Sequence, residues 1–342
     1  MKTLIVGIGA LGGIIAARLL AADSLVDSSS VLLAARSADS AAALKTSGLH
    51  ITGVGGSLSV NPANIEPLEH YSAEKFDLIV LATKAHAAIE IAPQLAAMLS
   101  HEGTLLPIQN GGVSQMLANR FGAERVLGGL SNLGATMISP GNYEQRNAGH
   151  LLIGELEGGI SKRAEQVAQW LGQGVQVRVT ANMRGAIWSK LLLNCSVTTI
   201  GAVAGCTMRA YITLPAGREL FIKAYDEALS VALASGVQPE RMIVDPLPPN
   251  WNGQSIPGKA YDAWLTQILD GYGDLKPSML QDFEGGRTTE IDFINGYVVD
   301  LARKLGIAAP ANTAIVEIVH AISRGELSPN PTLLEQALQP NQ

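Results

Sequence analysis

The sequence predicts an α/β protein in which a domain built on a parallel sheet is followed by an all-helical domain. Three observations lead to this prediction. A strand, a glycine-rich turn and a helix open the chain, buried strands recur through the first half, and helical periodicity without strands runs from residue 182 onward. The length of 342 residues fits two domains at roughly 100–200 residues each. We place the boundary near Thr180, which gives domains 1–180 and 181–342.

Composition and charge narrow the classes of function. Hydrophobic residues make up 47% and charged residues 16% of the chain, so large cores are expected and disorder is not. The net charge is −6 and no Lys/Arg run stands out, which argues against nucleic acid as a partner. Two cysteines without a CxxC pair fit a reducing cytoplasm. The six histidines lack ligand spacing, so we predict no metal site.

The first stretch of the chain is a candidate nucleotide-binding motif. The apolar run Thr3–Val6 predicts a short strand, and helix-like sequence extends from about Ala10 to Ala22. The turn between them has the spacing GxGxxG, and its candidate cofactor-binding residues are Gly7, Ile8, Gly9, Ala10, Leu11 and Gly12. The first glycine permits the turn, the second lets the backbone approach a pyrophosphate, and the third lets helix and strand pack closely. Because the helix start offers N–H groups to phosphate, we predict a Rossmann-like dinucleotide-binding domain.

The residues after the second strand indicate which dinucleotide is bound. An NAD site usually has Asp or Glu near the end of this strand, where it binds the ribose 2′-hydroxyl. Here the strand Val31–Ala34 is followed by Ala35 and Arg36. A guanidinium pairs with a 2′-phosphate and stacks on adenine, so we predict NADP(H) as the cofactor. A surface arginine without a role is the alternative.

Two further buried strands end in polar residues. Phe76–Thr83 is followed by Lys84, and Thr104–Gln109 is followed by Asn110. Ligands of open α/β sheets bind at the carboxyl ends of the strands, so Lys84 and Asn110 are candidates for contact with cofactor or substrate. A solvated lysine and a turn asparagine are the alternatives.

The rest of the first domain is predicted to contain shorter strands and one helix. A strand and glycine-rich turn at Gly128–Ala135 adds Ala135 to the candidate cofactor-binding residues. The other predicted elements are a strand pair within Leu49–Val60, strands near Tyr143–Arg146, Leu151–Ile153 and Val175–Val179, and an amphipathic helix at Ser161–Leu171.

The stretch Trp188–Thr198 carries the main candidate for catalysis. It has the pattern of a helix in which Lys190, Asn194 and Thr198 recur at i, i+4 and i+8, on one face, while the other faces are apolar. A surface lysine that extends its ammonium to water is one alternative. A membrane span is another, which we reject because a lysine near the helix centre costs about 2.5–3.5 kcal/mol to insert. We predict a catalytic helix whose polar edge faces a cleft.

Helical periodicity continues to the end of the chain. The predicted helices are 182–199, 215–235, 260–271, 276–284, 288–306 and 311–321. Asp245–Gly258 is rich in Pro, Asn and Gly and is predicted as a loop, either a functional lid or a surface insertion. Glu290 is the best carboxylate partner for Lys190. As an alternative, Thr288-Thr289-Glu290 is a sequence commonly found at a helix N-terminus.

Motifs in one fixed order carry a resemblance to a known family. They are Gly7–Gly12, Ala35-Arg36, Thr83-Lys84-Ala85, Gln109-Asn110-Gly111, Trp188-Ser189-Lys190 with Asn194, Ser278–Asp282 and Thr289–Gly296. Through them the chain resembles the ketopantoate reductase (2-dehydropantoate 2-reductase) family over nearly its whole length. The resemblance implies a Rossmann domain, a helical domain and an active site in the cleft between them.

The resemblance also implies roles for individual residues. Lys190 would be the general acid and would contact substrate. Glu290, Asn110 and Lys84 would belong to the cofactor and catalytic cluster, with Asn110 also touching substrate. Asn194 and Ser278 would hold the substrate. Thr198 is not implied by the resemblance; we add it as a substrate candidate because it shares the helix face of Lys190 and Asn194.

This chain departs from the family pattern where the substrate should bind. Thr198, Met208 and Leu275 stand where relatives often have asparagine, and Pro277 precedes Ser278 where serine is common. Thr198 keeps a hydroxyl, but Met208 and Leu275 cannot hydrogen-bond a hydroxyl or a carboxylate. A site that hydrogen-bonds a substrate group discriminates strongly for that group, so these positions bear on which substrate is accepted.

The expected function is therefore reduction of a small 2-oxo acid in the cytoplasm. The leading hypothesis is NADPH-dependent reduction of 2-dehydropantoate to pantoate, a step of pantothenate biosynthesis. A paralogous NADPH-dependent reductase of another 2-oxo acid or ketone is the alternative, and a non-catalytic NADPH sensor is a third. No membrane or nucleic acid partner is expected. A homodimer is compatible with the sequence, which does not determine the oligomeric state.

Overall fold

The computed structural model describes residues 1–22 and 27–339, and the chain divides into two compact units. Unit 1 comprises Met1–Gln109 and Val113–Met183, and unit 2 comprises Asn110–Gly112 and Arg184–Gln342. The short segment Asn110–Gly112 therefore packs with the helical half, although it follows a strand of the first half in sequence. The last three residues of the predicted domain 181–342 lie outside the described part of the chain.

Unit 1 contains the predicted α/β domain. Its strands are β1 (Thr3–Val6), β2 (Val31–Ala35), β3 (Leu49–Gly53), β4 (Leu58–Val60), β5 (Ile65–Pro67), β6 (Phe76–Leu81), β7 (Leu99–Pro107), β8 (Gly128–Ser131), β9 (Ala135–Ser139), β10 (Asn142–Gln145), β11 (Leu151–Gly154) and β12 (Val177–Val179). Its helices are α1 (Ala10–Leu20), α2 (Ala38–Ser47), α3 (Ala85–Met98), α4 (Val113–Phe121) and α5 (Lys162–Leu171).

The main sheet of unit 1 has the order β5-β2-β1-β6-β7 within the described residues, and all neighbouring strands run parallel. The chain builds outward from β1 through β2 to β5, and then returns to the other side of β1 with β6 and β7. In open α/β sheets a ligand binds at the carboxyl edge, where the strand order reverses in this way. The register aligns Val6 with both Ala34 and Leu81, so the loops after β1, β2 and β6 leave the same edge.

Two smaller sheets complete unit 1, with the orders β4-β3-β10-β9 and β12-β11-β8. Tyr143 of β10 is fully buried and joins Ile14, Ile15 and other side chains of α1 in one apolar core. The predicted strand and turn at Gly128–Ala135 correspond to β8 and the residues after it, and Ala135 begins a separate strand, β9. β9 pairs antiparallel with β10.

Unit 2 is helical in its described residues, which confirms the predicted fold class. Its helices are α6 (Met183–Leu193), α7 (Thr199–Ala204), α8 (Met208–Tyr211), α9 (Pro215–Ala234), α10 (Lys259–Tyr272), α11 (Ser278–Glu284), α12 (Asn295–Leu305), α13 (Pro310–Ser323) and α14 (Leu333–Leu338). A π-helical turn at Asn194–Thr198 joins α6 to α7. We call the continuous helix Met183–Ala204 the lysine helix.

The predicted helix 288–306 is wrong at its start. Residues 287–290 are not helical, a 3₁₀ turn spans Ile291–Phe293, and α12 begins only at Asn295. Glu290 has φ −101° and ψ 24°, and Ile294 has φ −104° and ψ −98°, so neither residue continues an α-helix. Glu290 therefore lies on an irregular segment that the polar sequence Thr288-Thr289-Glu290 did not reveal.

The lysine helix is apolar because it lies in the core of unit 2. It is long enough to cross a membrane, with a mean hydropathy of 1.3 over its most apolar window, but 83% of that window is buried inside the protein. Its buried side chains pack into one cluster with those of α9, α12 and α13. Core packing accounts for the apolar faces that the sequence shows.

The loop Asp245–Gly258 is anchored along its length. Trp264 Nε1 donates to the carbonyl of Asp245 at 2.8 Å, and the Tyr225 hydroxyl donates to the carbonyl of Pro246 at 2.8 Å. The N–H and hydroxyl of Ser255 both donate to the carboxylate of Asp226. The loop is thus held against α9 and α10, and this arrangement does not favour the interpretation as a lid.

Candidate active site

The glycine-rich turn of unit 1 has the geometry that its spacing predicts. Gly7 has φ +95°, a conformation that favours glycine, and its N–H donates to the carbonyl of Ala34 at 3.3 Å. A Cβ on Gly12 would collide with the carbonyl oxygen of Gly7, so only glycine lets α1 approach the turn this closely. The turn is thereby fixed at the carboxyl edge of the main sheet.

Gly9 leaves room for a ligand at the start of α1. A Cβ built on Gly9 would meet nothing within 4 Å, and no side chain caps the first turn of α1. Uncapped N–H groups at a helix N-terminus attract anionic groups, and an open glycine surface lets a pyrophosphate approach them. These residues therefore fit a dinucleotide.

Buried polar atoms at the same edge have capacity to bind a ligand. Gln109 donates through Nε2 to the carbonyls of Leu81 and Thr83, both at 2.9 Å, which ties the ends of β6 and β7 together. Gln109 Oε1 and Thr83 Oγ1 are buried and have no hydrogen-bond partner among the described residues. Buried polar atoms of this kind are rare and call for an explanation, and a bound cofactor would give one.

Tyr143 supports the glycine-rich turn and was not predicted from the sequence. Its hydroxyl donates to the carbonyl of Ile8 at 3.0 Å, and its ring occupies the space that a Cβ on Gly13 would need. The sequence offers one signal of this contact. Gly13 follows Gly12 but lies outside the GxGxxG spacing, so the motif does not explain why it is glycine.

Of the other predicted cofactor residues of unit 1, two follow strands of the main sheet and one lies in a smaller sheet. Arg36 is exposed directly after β2, where Ser37 caps α2 by accepting from the N–H of Ser40. Lys84 is exposed at the N-terminal boundary of α3, after β6. Both follow strands that end at the carboxyl edge of the main sheet, where Gly9 also lies. Ala135 instead begins β9, in the smaller sheet that packs on α1.

The lysine helix exposes one polar line. Between residues 185 and 204 only Lys190, Asn194 and Thr198 are partly exposed, and all other residues of this described stretch are buried. The three side chains predicted to share a face are therefore the accessible ones of this stretch. Their spacing gives the helix a polar edge with a lysine at one end.

The π turn keeps this line together. In a regular α-helix a residue eight positions along is rotated by about 80° beyond two full turns, because each residue advances about 100°. Here the N–H of Thr199 donates to the carbonyl of Asn194, five residues back, so the turn is wider than an α-helical one. A wider turn reduces the drift and brings Thr198 back toward the side of Lys190.

Lys190 has an altered acidity with two opposing causes. Lys190 is only partly exposed, and its burial disfavours the charged ammonium and lowers the pKa of Lys190 to about 8, while the carboxylate of Glu290 acts in the opposite direction and raises it. Lys190 and Glu290 therefore interact electrostatically. A lysine with a pKa near neutrality can give and take a proton at the pH of a cell, which suits a general acid.

The opposing effect of Glu290 predicts a shift in pH dependence. In Glu290→Gln the carboxylate charge is lost, so the pKa of Lys190 should fall further below its value of about 8. Because a proton donor must be protonated, turnover in the reducing direction should decline at a lower pH than in the wild type. The pH profile of kcat measures this shift.

Asp292→Asn is the matched control for that experiment. Asp292 lies in the 3₁₀ turn next to Glu290, is exposed, and contacts His320. Its variant should keep the wild-type profile. An unchanged or higher midpoint in Glu290→Gln would contradict the predicted coupling.

The loop that carries Asn110 is bound to the segment after Glu290. The N–H of Gly112 donates to the carbonyl of Phe293 at 3.0 Å, and the N–H of Phe293 donates to the carbonyl of Glu290 at 3.0 Å. Gly111 has φ +76°, and a Cβ there would collide with the same Phe293 carbonyl. Asn110 and Glu290 are thus connected through two backbone hydrogen bonds within unit 2.

An aromatic contact extends this connection to the lysine helix. Tyr297 lies against Gly112, where a Cβ would meet its ring. The Tyr297 ring also contacts Trp188, with ring centroids 6.0 Å apart, and Trp188 is two residues before Lys190. The elements that carry Asn110, Lys190 and Glu290 are therefore packed together, as the sequence hypothesis requires.

The candidate Ser278 and the two departures from the family pattern, Met208 and Leu275, differ in accessibility. Ser278 is exposed at the start of α11, which packs against α7. Met208 is fully buried in the core of unit 2, and Leu275 is 60% exposed. Neither Met208 nor Leu275 supplies the polar group that asparagine would, and Met208 is not accessible on the surface of its unit.

The cavity found in unit 1 contains none of these candidate residues. It measures about 450 Å³ and lies at the amino ends of β6 and β7, lined by Asp77, Glu102, Arg163 and Trp170 among others. No group of three or more His, Cys, Asp or Glu side chains that could hold a metal occurs in residues 1–22 and 27–339.

Two family descriptions match consecutive parts of the chain. Residues 3–158 match "Ketopantoate reductase PanE/ApbA", and residues 182–323 match "Ketopantoate reductase PanE/ApbA C terminal". The first match lies within residues 1–180 and the second within residues 181–342.

Individual relatives agree with this match. A 2-dehydropantoate 2-reductase of Pyrococcus abyssi is 29% identical over 313 residues, which cover 91% of this chain and 94% of the relative. The crystal structure of 2-dehydropantoate 2-reductase from Geobacter metallireducens is 27% identical with a TM-score of 0.74, covering 98% of this chain and 100% of that one. D-mandelate dehydrogenase in complex with NADH and anilino(oxo)acetate shares the fold, with 22% identity, a TM-score of 0.78 and coverage of 95% and 99%. The chain belongs to the ketopantoate reductase family of oxidoreductases.

Proposed function

We propose that this protein reduces 2-dehydropantoate to pantoate with NADPH, in the cytoplasm, with Lys190 as the proton donor. The observation that carries the proposal is the polar edge of the lysine helix. A lysine of altered pKa interacts there with a carboxylate, in line with two side chains that can hydrogen-bond a substrate. Membership of the reductase family makes a 2-oxo acid the natural substrate class.

The chemistry follows from the groups in unit 2. When bound, the nicotinamide cofactor supplies the hydride that reduces the C2 carbonyl. The Lys190 ammonium stabilises the negative charge that develops on the carbonyl oxygen and donates a proton to it. Glu290 keeps the pKa of Lys190 from falling further, so more of the lysine is protonated near pH 7. Asn194, Thr198 and Ser278 would orient the carboxylate and hydroxyl of the substrate.

The preference for NADPH rests on unit 1. Gly7–Gly12 would hold the pyrophosphate at the start of α1, and Arg36 would pair with the 2′-phosphate. Arg36 is exposed and follows β2, whose end is at the edge that carries Gly9. Lys84, Asn110, Ala135 and Glu290 complete the proposed cofactor set.

A second candidate function is reduction of another 2-oxo acid. It is favoured by Met208 and Leu275, which remove two polar groups from positions where relatives often carry asparagine. Sharing a fold does not decide the substrate, since one fold commonly supports several chemistries. A substrate with fewer hydroxyl groups than 2-dehydropantoate would fit these replacements.

Steady-state kinetics on a panel of 2-oxo acids, run with NADPH and with NADH, test the proposal. We expect 2-dehydropantoate with NADPH to give the highest kcat/KM. A far higher value for another 2-oxo acid would decide for the second candidate, and equal use of NADH would contradict the role of Arg36. Tight NADPH binding without turnover of any substrate would indicate a sensor.

A further inference from the structure

The π turn of the lysine helix is held by side chains that reach its backbone carbonyls. The carbonyl of Cys195 accepts from the hydroxyl of Thr199 at 2.6 Å and from Asn295 Nδ2 at 3.2 Å. The carbonyl of Ser196 accepts from the hydroxyl of Tyr211 at 2.6 Å. In an α-helix the Cys195 carbonyl would bind the N–H of Thr199, but that N–H donates to Asn194 instead. At the Cys195 carbonyl, side-chain donors thus replace the α-helical hydrogen bond.

A buried polar network fixes one of these donors. Asn295 Nδ2 also donates to Asn312 Oδ1 at 2.9 Å, and Asn312 Nδ2 donates to the carbonyl of Ala224 and the carboxylate of Glu227. Asn295 and Asn312 are both fully buried. Asn295 Oδ1 has no hydrogen-bond partner among the described residues, which is unfavourable for a buried polar atom. The hydrogen bond to Asn312 holds the side chain of Asn295 in place where it donates to the π turn.

The residues that the π turn orients are those proposed to contact substrate. Asn194 and Thr198 are the first and last residues of the turn and, apart from Lys190, the accessible side chains of the described stretch 185–204. Lys190 precedes the turn, in regular α-helix. A change in the turn would therefore move Thr198 relative to Lys190, while the lysine itself stays in place.

We propose that Tyr211, Thr199 and Asn295 are positioning residues for the substrate. By occupying the carbonyls of Cys195 and Ser196, they keep Asn194 and Thr198 in line with Lys190. This role rests on the proposed reduction of a 2-oxo acid. They act through the backbone of the π turn and do not themselves touch substrate.

Tyr211→Phe tests the proposal, with Tyr225→Phe as the matched control. Both tyrosines are fully buried, and each donates its hydroxyl to one backbone carbonyl, of Ser196 and Pro246 respectively. Both variants delete one oxygen and leave one carbonyl without its donor, so they should lose similar thermal stability. They differ in that the Tyr211 hydroxyl reaches the π turn, whereas that of Tyr225 reaches the loop at Pro246.

In Tyr211→Phe we expect kcat/KM for the preferred 2-oxo acid to fall about five- to tenfold, mainly through KM, which corresponds to the loss of one hydrogen bond. NADPH binding and the pH midpoint of kcat should stay at wild-type values, because Lys190 precedes the turn. Amide hydrogen exchange in peptides spanning residues 190–204 should accelerate more than in Tyr225→Phe. In the control, kcat/KM should change less than about twofold.

The proposal is overturned if the two variants show the same kcat/KM and the same exchange in residues 190–204. If the wild type reduces no 2-oxo acid, the proposed function fails, whereas the exchange comparison still tests whether Tyr211 holds the turn. Should Tyr211→Phe not fold, Thr199→Val and Thr313→Val form a second pair. Both threonines donate to the carbonyl four residues back, but Thr313 does so at the start of α13.

Discussion

Replacing Lys190 with alanine should reduce turnover by about two to four orders of magnitude, the usual contribution of a general acid. The ammonium would no longer stabilise charge on the carbonyl oxygen or supply the proton, and no other accessible side chain between residues 185 and 204 is cationic. NADPH affinity should change much less, because the glycine-rich turn belongs to unit 1. Steady-state kinetics and calorimetric titration of NADPH measure the two effects separately.

Lys223→Ala is the control for the lysine substitution. Lys223 lies on α9, is exposed, and pairs with Glu219 one helical turn earlier at 2.8 Å. Its removal deletes a cation from the same unit without affecting the polar line of the lysine helix. Near-normal turnover in Lys190→Ala would exclude the proposed role, and equal losses in both variants would indicate a general effect of charge.

Replacing Gly9 with aspartate should abolish tight NADPH binding, with an increase in Kd of at least about a hundredfold. The added carboxylate would enter the open space at the start of α1 and repel a pyrophosphate, and two unit charges 4 Å apart interact by about 4 kcal/mol at an effective dielectric of 20. The fold should be retained, since a Cβ at this position meets nothing within 4 Å. Fluorescence titration of NADPH and thermal unfolding test both expectations.

Gly9→Ala is the matched control, because it adds the Cβ without the charge. It should weaken NADPH binding far less than the aspartate and should leave the unfolding temperature near that of the wild type. Wild-type affinity in Gly9→Asp would place the cofactor elsewhere.

Much of the fold could be predicted because local patterns agree with it. The run Thr3–Val6 and the spacing of Gly7, Gly9 and Gly12 encode a strand, a turn and a helix within eighteen residues, from Thr3 to Leu20. The i, i+4, i+8 spacing of Lys190, Asn194 and Thr198 likewise predicted which side chains of the lysine helix stay accessible. In both places the sequence period and the burial pattern coincide.

The missed features depend on contacts between distant residues. The π turn cannot be read from Asn194–Thr198 itself, because Tyr211 and Asn295 supply donors to its carbonyls from 15 and 100 residues away. The support of the glycine-rich turn by Tyr143 spans 135 residues. The helix predicted from residue 288 begins only at Asn295, and the carbonyl of Phe293 before it accepts from the N–H of Gly112, a distant contact that local propensity does not contain.

The roles that the sequence predicts for the site residues stay predictions. Lys190 and Glu290 interact electrostatically, and Asn110 is bound to the segment that follows Glu290. The roles of these residues, of Arg36 and of Ser278 stay predictions until variants are measured. Substrate identity depends on where Thr198 and Leu275 stand relative to a bound molecule, which periodicity cannot supply.

The inclusion of Asn110–Gly112 in unit 2 makes the helical half discontinuous in sequence. A chimaera of two relatives joined at residue 181 would inherit Lys190 and Glu290 from one parent and Asn110 from the other. Three residues encoded in the first half of the gene would then have to match Phe293 and Tyr297 of a different protein. Recombination between relatives should therefore preserve activity only when these distant positions are exchanged together. The C-terminal half alone does not contain all the residues of the proposed site.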